Sequence, residues 1–258
     1  METKISNYDC YTAGMKKSIK DKLFFEGLID DSIDTLVDFG CADGELLAQI
    51  AADYPEWKLY GVDKDNCMLN KARIKCPSCN YYHSLDAISA VIIDCDKAML
   101  NLSSVIHEVY SYSSEDEIRD FWQQVFSGEF KYISIRDLMI SFASTGDTDI
   151  NDIRKIVKKS DHAQLLDFVS IWGDLKSKRN LTHYLMKYRY KENWSREVRE
   201  NYFPITIEQF LNIIPSNYEI IYFNHYILPF TKDKIKEDFG IELHENTHAK
   251  FLLRRKDG

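Results

Sequence analysis

Long apolar runs are missing from this 258-residue chain. Its hydrophobic stretches are far too short to span a bilayer, and no signal-like apolar core lies near the N-terminus. This excludes a membrane-spanning class and sets the expectation of a cytoplasmic protein with no membrane partner. Cysteine is sparse at six residues, too few in a chain of this length for a disulfide framework and consistent with reduced thiols. Proline (5) and glycine (10) are scarce as well, so no Pro/Gly-rich linker divides the chain, and each glycine carries information. There is no internal repeat and no low-complexity tract. A basic excess is also absent. The formal net charge of −8 argues against a surface built as a whole for nucleic acid, though not against a local basic face.

What remains is an ordinary globular composition, 45% hydrophobic and 29% charged. Short apolar runs at Thr35–Phe39, Lys58–Val62, Asn80–Leu85, Lys97–Leu102 and Lys131–Arg136 read as strands. Between them, Glu45–Asp53, Asn66–Lys75 and Glu115–Phe126 carry the i, i+3, i+4 spacing of helices. This alternation implies an α/β fold with a doubly wound, mostly parallel sheet. It stops after Arg136. Residues 141–203 are helical and charge-rich with no clear strand. Thr206–Ile214 then reads as a helix closed by Pro215, and Tyr218–Leu228 and Thr247–Lys256 read as two last strands of a seven-stranded sheet. The expected organisation is a core with an N-terminal helix (1–140), a helical insertion serving as a lid (141–203), and a final helix and two strands that complete the sheet (204–258).

The most informative stretch is Asp38-Phe-Gly-Cys-Ala-Asp-Gly44, at the turn between the first strand and its helix. Gly40 and Gly44 suit backbone that approaches a ligand closely or adopts positive φ, and the helix start offers free N–H groups. The third glycine of a dinucleotide fingerprint is missing, and a pyrophosphate would meet Asp38 and Asp43. Asp63 ends the second strand, roughly 20 residues beyond the turn, where a carboxylate can accept both hydroxyls of a ribose. Asp86 is expected at the end of the third strand, placed to accept from an adenine amine. Acids at three successive strand ends suit an adenosine-containing ligand without a pyrophosphate.

Asp38 to Gly44, then Asp63, then Asp86-Ala87, together resemble the cofactor signature of class I S-adenosylmethionine-dependent methyltransferases. The resemblance spans roughly Thr35–Arg136 and the two terminal strands. It implies a final antiparallel strand and S-adenosylmethionine as cofactor. Gly40, Cys41, Ala42 and Gly44 would line the methionine moiety, with Asp38 orienting it. Asp63, with Lys64 beside it, would hold the ribose, and Asp86 and Ala87 the adenine; Ser103 would border the cofactor from the fourth strand. An N-terminal amphipathic helix often covers the cofactor in this family, which makes Tyr11, Met15 and Lys22 candidates.

Methyl transfer needs positioning first, and a base only where the acceptor must lose a proton. Ser104, His107, Glu108 and Tyr112 follow the fourth strand, and His107 and Glu108 are the candidate catalytic pair. Arg136 is a candidate acceptor contact, with an anchoring ion pair to Asp137 as the alternative. In residues 151–202 basic residues outnumber acidic ones by five. Tyr184, Tyr188, Tyr190, Trp194 and Tyr202 are interleaved with them, so Tyr188 and Arg189 are further acceptor candidates. Most of that pattern also fits a helix with core aromatics and solvated charges. Cys76-Pro-Ser-Cys79 is a single pair where structural zinc needs four ligands, and His225 and His248 have no metal-site spacing, so no metal is expected. Three readings follow: a methyltransferase with a small-molecule acceptor, which the acidic whole favours; one acting on RNA or another nucleic acid; and a non-catalytic cofactor-binding subunit.

Overall fold

A computed structural model describes residues 19–256 apart from 90, 92 and 93; Tyr11 and Met15 lie outside the described residues. Strands β1 (Thr35–Phe39) and β2 (Lys58–Val62) occupy the expected spans. β4 (Ala98–Ser103) and β5 (Tyr132–Leu138) are displaced by one or two residues from theirs. β4 is buried along its whole length, as a central parallel strand covered on both faces must be. Helices α2 (Glu45–Asp53) and α3 (Asn66–Lys75) cover one face of the sheet. On the other face lie α5 (Ile106–Tyr112), α6 (Glu115–Ser127) and α11 (Ile207–Leu211).

Local chemistry sets several boundaries. The Asp65 carboxylate accepts from the N–H groups of Cys67 and Met68 at the start of α3. Ser114 and Glu117 form a reciprocal capping box on α6, as Thr206 and Gln209 do on α11. The sheet order is β3-β2-β1-β4-β5-β7-β6. β7 (His248–Arg255) runs antiparallel between β5 and β6 (Tyr218–Tyr226). The chain reverses direction across the sheet between β1 and β4, which opens a crevice beyond the carboxyl ends of those strands.

Two spans differ from expectation. β3 (Asn80–Tyr82) ends three residues early, and Asp86 opens the short helix α4 (Asp86–Ser89) instead of ending the strand. Between β6 and β7 lies α12 (Pro229–Phe239), which apolar spacing does not announce because it buries only Ile235 and Phe239. Proline in its first turn and Gly240 in the left-handed region after its last turn delimit it. α7 (Ile150–Lys159), α8 (His162–Trp172), α9 (Lys178–Lys187) and α10 (Trp194–Glu197) form the helical insertion. Their core includes Ile156, Phe168, Tyr184 and Leu185, and it also takes in Ile235 and Phe239 of α12. This helical core is therefore built from two separate parts of the chain, and the span 204–258 does not pack on the sheet alone. Among the described residues no helix is long and apolar enough to cross a membrane.

Candidate active site

The glycine turn is held mainly by its own packing. Gly40 (φ +78°) and Gly44 (φ +76°) both occupy the left-handed region. A Cβ on Gly40 would meet Val105 Cγ2 at 2.7 Å, and one on Gly44 would meet Ala72 Cβ at 2.9 Å. Protein side chains thus already fill the space beside both glycines. Asp63 braces the turn: its Oδ2 accepts from the Ala42 N–H (2.9 Å) and its Oδ1 from the Asp65 N–H (2.8 Å). Each oxygen keeps a further lone pair for a ligand. Burial raises the Asp63 carboxyl above the ordinary range. Cys41 is buried behind the turn, and its thiol is raised by burial.

Asp38 faces Asn101 across the β1–β4 register, and Asn101 Nδ2 donates to Asp38 Oδ1 at 2.8 Å. Burial pushes Asp38 up to about 6. Lys22 lies close by, pulled down by burial and by Arg136 and up by Asp38, Asp137 and Glu108. Its placement follows from Asp21, the preceding residue in α1 (Ile19–Lys22). Asp21 accepts from Arg136 Nε (2.7 Å), Lys250 Nζ (2.6 Å) and the Tyr226 hydroxyl (2.5 Å), and so clasps α1 onto β5, β6 and β7. Burial opposes the Asp21 charge, but these donors bring its carboxyl down to about 2.

Above the crevice lies a chamber of about 310 Å³. Gly40, Ala42, Asp63 and Ser103 border one end; His107 and Glu108, with Glu197, Glu200 and Tyr202 from the lid, border the other. The polar groups of the second end are interlocked. Asp137, 1% exposed, accepts from the N–H groups of Val105 (2.8 Å), Ile106 (2.7 Å) and Leu138 (2.7 Å), and its Oδ1 lies 2.6 Å from His107 Nδ1. His107 Nε2 is 3.9 Å from Glu200. Burial opposes a charge on His107, but Asp137, Glu200 and Glu108 outweigh it and raise the imidazole to about 9. Arg196 joins Glu108 (2.9 Å) and Glu200 (2.7 Å). Burial and then Glu200 push Glu197 up to about 7, and its Oε2 accepts from the Tyr202 hydroxyl. Lys187, wholly buried and lowered to about 7 by burial, donates to the backbone carbonyls of Glu197 and Glu200.

The chamber thus gathers Gly40, Ala42, Asp63, Ser103, His107, Glu108 and Arg136 from the expected set. Arg136 is committed to Asp21 and to Ser104 Oγ (2.9 Å) and does not pair with Asp137. His107 is a weak candidate for a base, because its raised pKa keeps it protonated at neutral pH. Gly44 caps α2 at a distance from the chamber wall. Lys64 is exposed and lies over the Tyr112 ring (5.7 Å). Asp86 and Ala87 are exposed outside the chamber lining, and Asp86 accepts from Gln124 Nε2 at 3.4 Å. Tyr188 and Arg189 are directed elsewhere: they border a separate hollow on the lid, where the Tyr188 hydroxyl donates to Asp238 (2.6 Å) and Arg189 covers Phe230. Lys22, named only as a covering residue, lines the chamber. Glu197 and Glu200 enter the sequence reading only as counted charges, and no spacing in the sequence separates them from solvated acids. Cys76 and Cys79 are buried with their sulfurs 2.6 Å apart, and among the described residues no group of three or more His, Cys, Asp or Glu gathers as a metal site.

No protein-family profile matches the chain, and no curated protein does. Solved structures do. A methyltransferase from Anabaena variabilis described as S-adenosylmethionine-dependent aligns with a TM-score of 0.54 at 13% identity, over 99% of this chain and 96% of that one. One from Mesorhizobium loti aligns with a TM-score of 0.50 at 15% identity, over 90% and 95%. The plantazolicin methyltransferase BamL, solved with a triazolic desmethylPZN analog and SAH, aligns with a TM-score of 0.51 at 10% identity, over 97% and 88%. With its strand order, its antiparallel β7 and the crevice at β1 and β4, the chain has the fold of class I S-adenosylmethionine-dependent methyltransferases.

Proposed function

We propose that the protein is an S-adenosylmethionine-dependent methyltransferase whose acceptor is a small molecule or a short peptide enclosed beneath the lid. The observation that carries this reading is the two-ended chamber: a glycine turn braced by Asp63 at one end, and lid residues Glu197, Glu200 and Tyr202 at the other. The residues present fit the cofactor. Asp63 has lone pairs left for a ribose, and Ser103 Oγ is buried in the chamber lining with no partner among the described residues. Lys22 supplies a cation for a carboxylate. When bound, S-adenosylmethionine supplies an electrophilic methyl on a sulfonium. The chain's own part is to hold both reactants in line and keep water out.

The size of the chamber and its cover by the helical insertion support an enclosed acceptor, and the similar fold of BamL, solved with a triazolic desmethylPZN analog and SAH, agrees with it. Tyr188 and Arg189 border a different hollow and no basic residue of 151–202 lines the chamber, which favours an enclosed acceptor over a nucleic acid. Calorimetric titration tests the proposal. S-adenosylmethionine and S-adenosylhomocysteine are expected to bind at micromolar concentration and NAD not at all. Asp63→Ala should weaken both sulfur ligands by about 1–3 kcal/mol, the cost of leaving buried hydroxyls unpaired. Wild-type protein that binds neither sulfur ligand refutes the proposal.

A further inference from the structure

Three acids, Glu108, Glu197 and Glu200, line the acceptor end of the chamber, and among the described residues Glu197 is the one of them with no ion pair. Glu108 and Glu200 share Arg196. Glu197 is 6% exposed, and among the described residues no ammonium or guanidinium lies within ion-pair distance of its carboxyl. Among the described residues its side-chain hydrogen-bond partner is the Tyr202 hydroxyl; Lys187 and Arg196 attract its charge only from beyond ion-pair distance, with Lys187 donating to backbone carbonyls and Arg196 to Glu108 and Glu200. A buried carboxyl facing a cavity calls for a cation or a proton. Ser103 Oγ, buried in the chamber lining with no partner among the described residues, is a second polar group open to a ligand.

We propose, resting on the methyltransferase reading, that the acceptor is an amine that docks as an ammonium against Glu197 and is methylated after giving that residue its proton. The balance is simple. The N–H proton moves to the Glu197 carboxylate. The freed nitrogen lone pair forms the N–CH₃ bond while the S–CH₃ bond breaks, and that bonding pair stays on sulfur as a thioether. The product leaves as a methylated ammonium, and Glu197 releases its proton to solvent. An anionic acceptor would have to lie among Glu108, Glu197 and Glu200, which this end of the chamber disfavours. Tyr190 and Tyr202 line the same chamber, and the Tyr202 ring already lies under the Lys187 ammonium at 4.5 Å. The charged and titratable groups around Glu197 are Glu200 and Arg196 on its own segment, Lys187 of α9, Tyr190 and Tyr202, and its position among them suits a proton acceptor at neutral pH.

The test uses wild-type protein loaded with S-adenosylhomocysteine and three probes of one shape, benzylamine, benzyl alcohol and benzoate, titrated by calorimetry at about pH 7.5, where benzylamine is the ammonium. A probe this small is expected to bind at about millimolar concentration. Benzylammonium should bind saturably, benzyl alcohol at least tenfold more weakly, and benzoate not at all. Glu197→Gln should weaken benzylammonium about tenfold and leave S-adenosylhomocysteine affinity unchanged. Benzoate or benzyl alcohol binding as tightly as benzylammonium overturns the proposal, with or without a folded variant. So does saturable binding of S-adenosylhomocysteine with no benzylammonium binding at about 50 mM, a concentration well above the affinity expected of such a probe. Failure of S-adenosylhomocysteine itself to bind instead removes the methyltransferase reading beneath it.

Discussion

Replacing His107 by asparagine should change how stability depends on pH. In the folded protein the imidazole is raised from its ordinary 6.5 to about 9, by Asp137 at 2.6 Å and by Glu200 and Glu108 against the opposing effect of burial. The folded state therefore binds this proton more tightly than the unfolded state does. The stabilisation is complete below pH 6.5 and is lost as pH rises through about 9. A shift of this size is worth about 3 kcal/mol at about 1.36 kcal/mol per pH unit, and the side chain is 9% exposed, so solvent screens it little. An asparagine amide can still donate to Asp137 but carries no titrating charge. Lys187 and Glu197 also titrate near neutrality, but they are common to both proteins and drop out of the difference. Urea unfolding at about pH 6 and about pH 10 supplies the measurement. Wild type should exceed His107→Asn by about 3 kcal/mol more at the lower pH than at the higher one. A difference independent of pH would refute the ion-pair reading of His107 and return it to the role of a neutral base.

Gly40→Ala should destabilise the protein twice over, by about 1 kcal/mol for a side chain at φ +78° and by about 1–3 kcal/mol for a Cβ at 2.7 Å from Val105 Cγ2. Adding Val105→Ala should relieve the clash and leave the backbone cost, so equal unfolding midpoints for the single glycine variant and wild type would sink the account of the turn. Asp38→Asn should stabilise the ligand-free protein at pH above its raised value of about 6, by at most about 3 kcal/mol, and should have no such effect at about pH 4. The sign follows from burial: a carboxyl raised in the folded state loses stability as pH climbs through about 6. Urea midpoints that shift equally at both pH values would rule that out.

Much of the sheet is legible in the sequence because its signals are local. β1 and β2 are short apolar runs bounded by turns, and α2 and α3 carry their own periodicity. Gly40 and Gly44 announce a strained turn because few other residues tolerate their backbone angles. The linkages that make the site are distant in sequence. His107 and Asp137 are 30 residues apart, Arg136 and Asp21 are 115 apart, and Tyr226 and Asp21 are 205 apart. Nothing in the spacing of those residues reports the contact. α12 escapes for another reason: its buried side is two residues wide, and most of what it covers belongs to the lid rather than to its neighbours in the chain.

The helical insertion shows what a charge count leaves out. Its basic excess suggests an anionic partner, yet a count averages over directions that a helix separates. Residues one and two apart on a helix face different ways. Lys187, Tyr188 and Arg189 divide accordingly: Lys187 turns wholly inward onto the carbonyls of Glu197 and Glu200, the Tyr188 hydroxyl reaches Asp238, and Arg189 lies over Phe230. The acids sort the other way. Glu197 and Glu200 are buried against the chamber, with Tyr202 closing over Glu197. Lys187 and Arg196 reach inward beside them, so the charges of the insertion at the chamber are two acids and two bases held in one cluster. On the proposed reading it is these few inward charges that select the acceptor, since only those are desolvated enough to discriminate strongly between a cation and an anion.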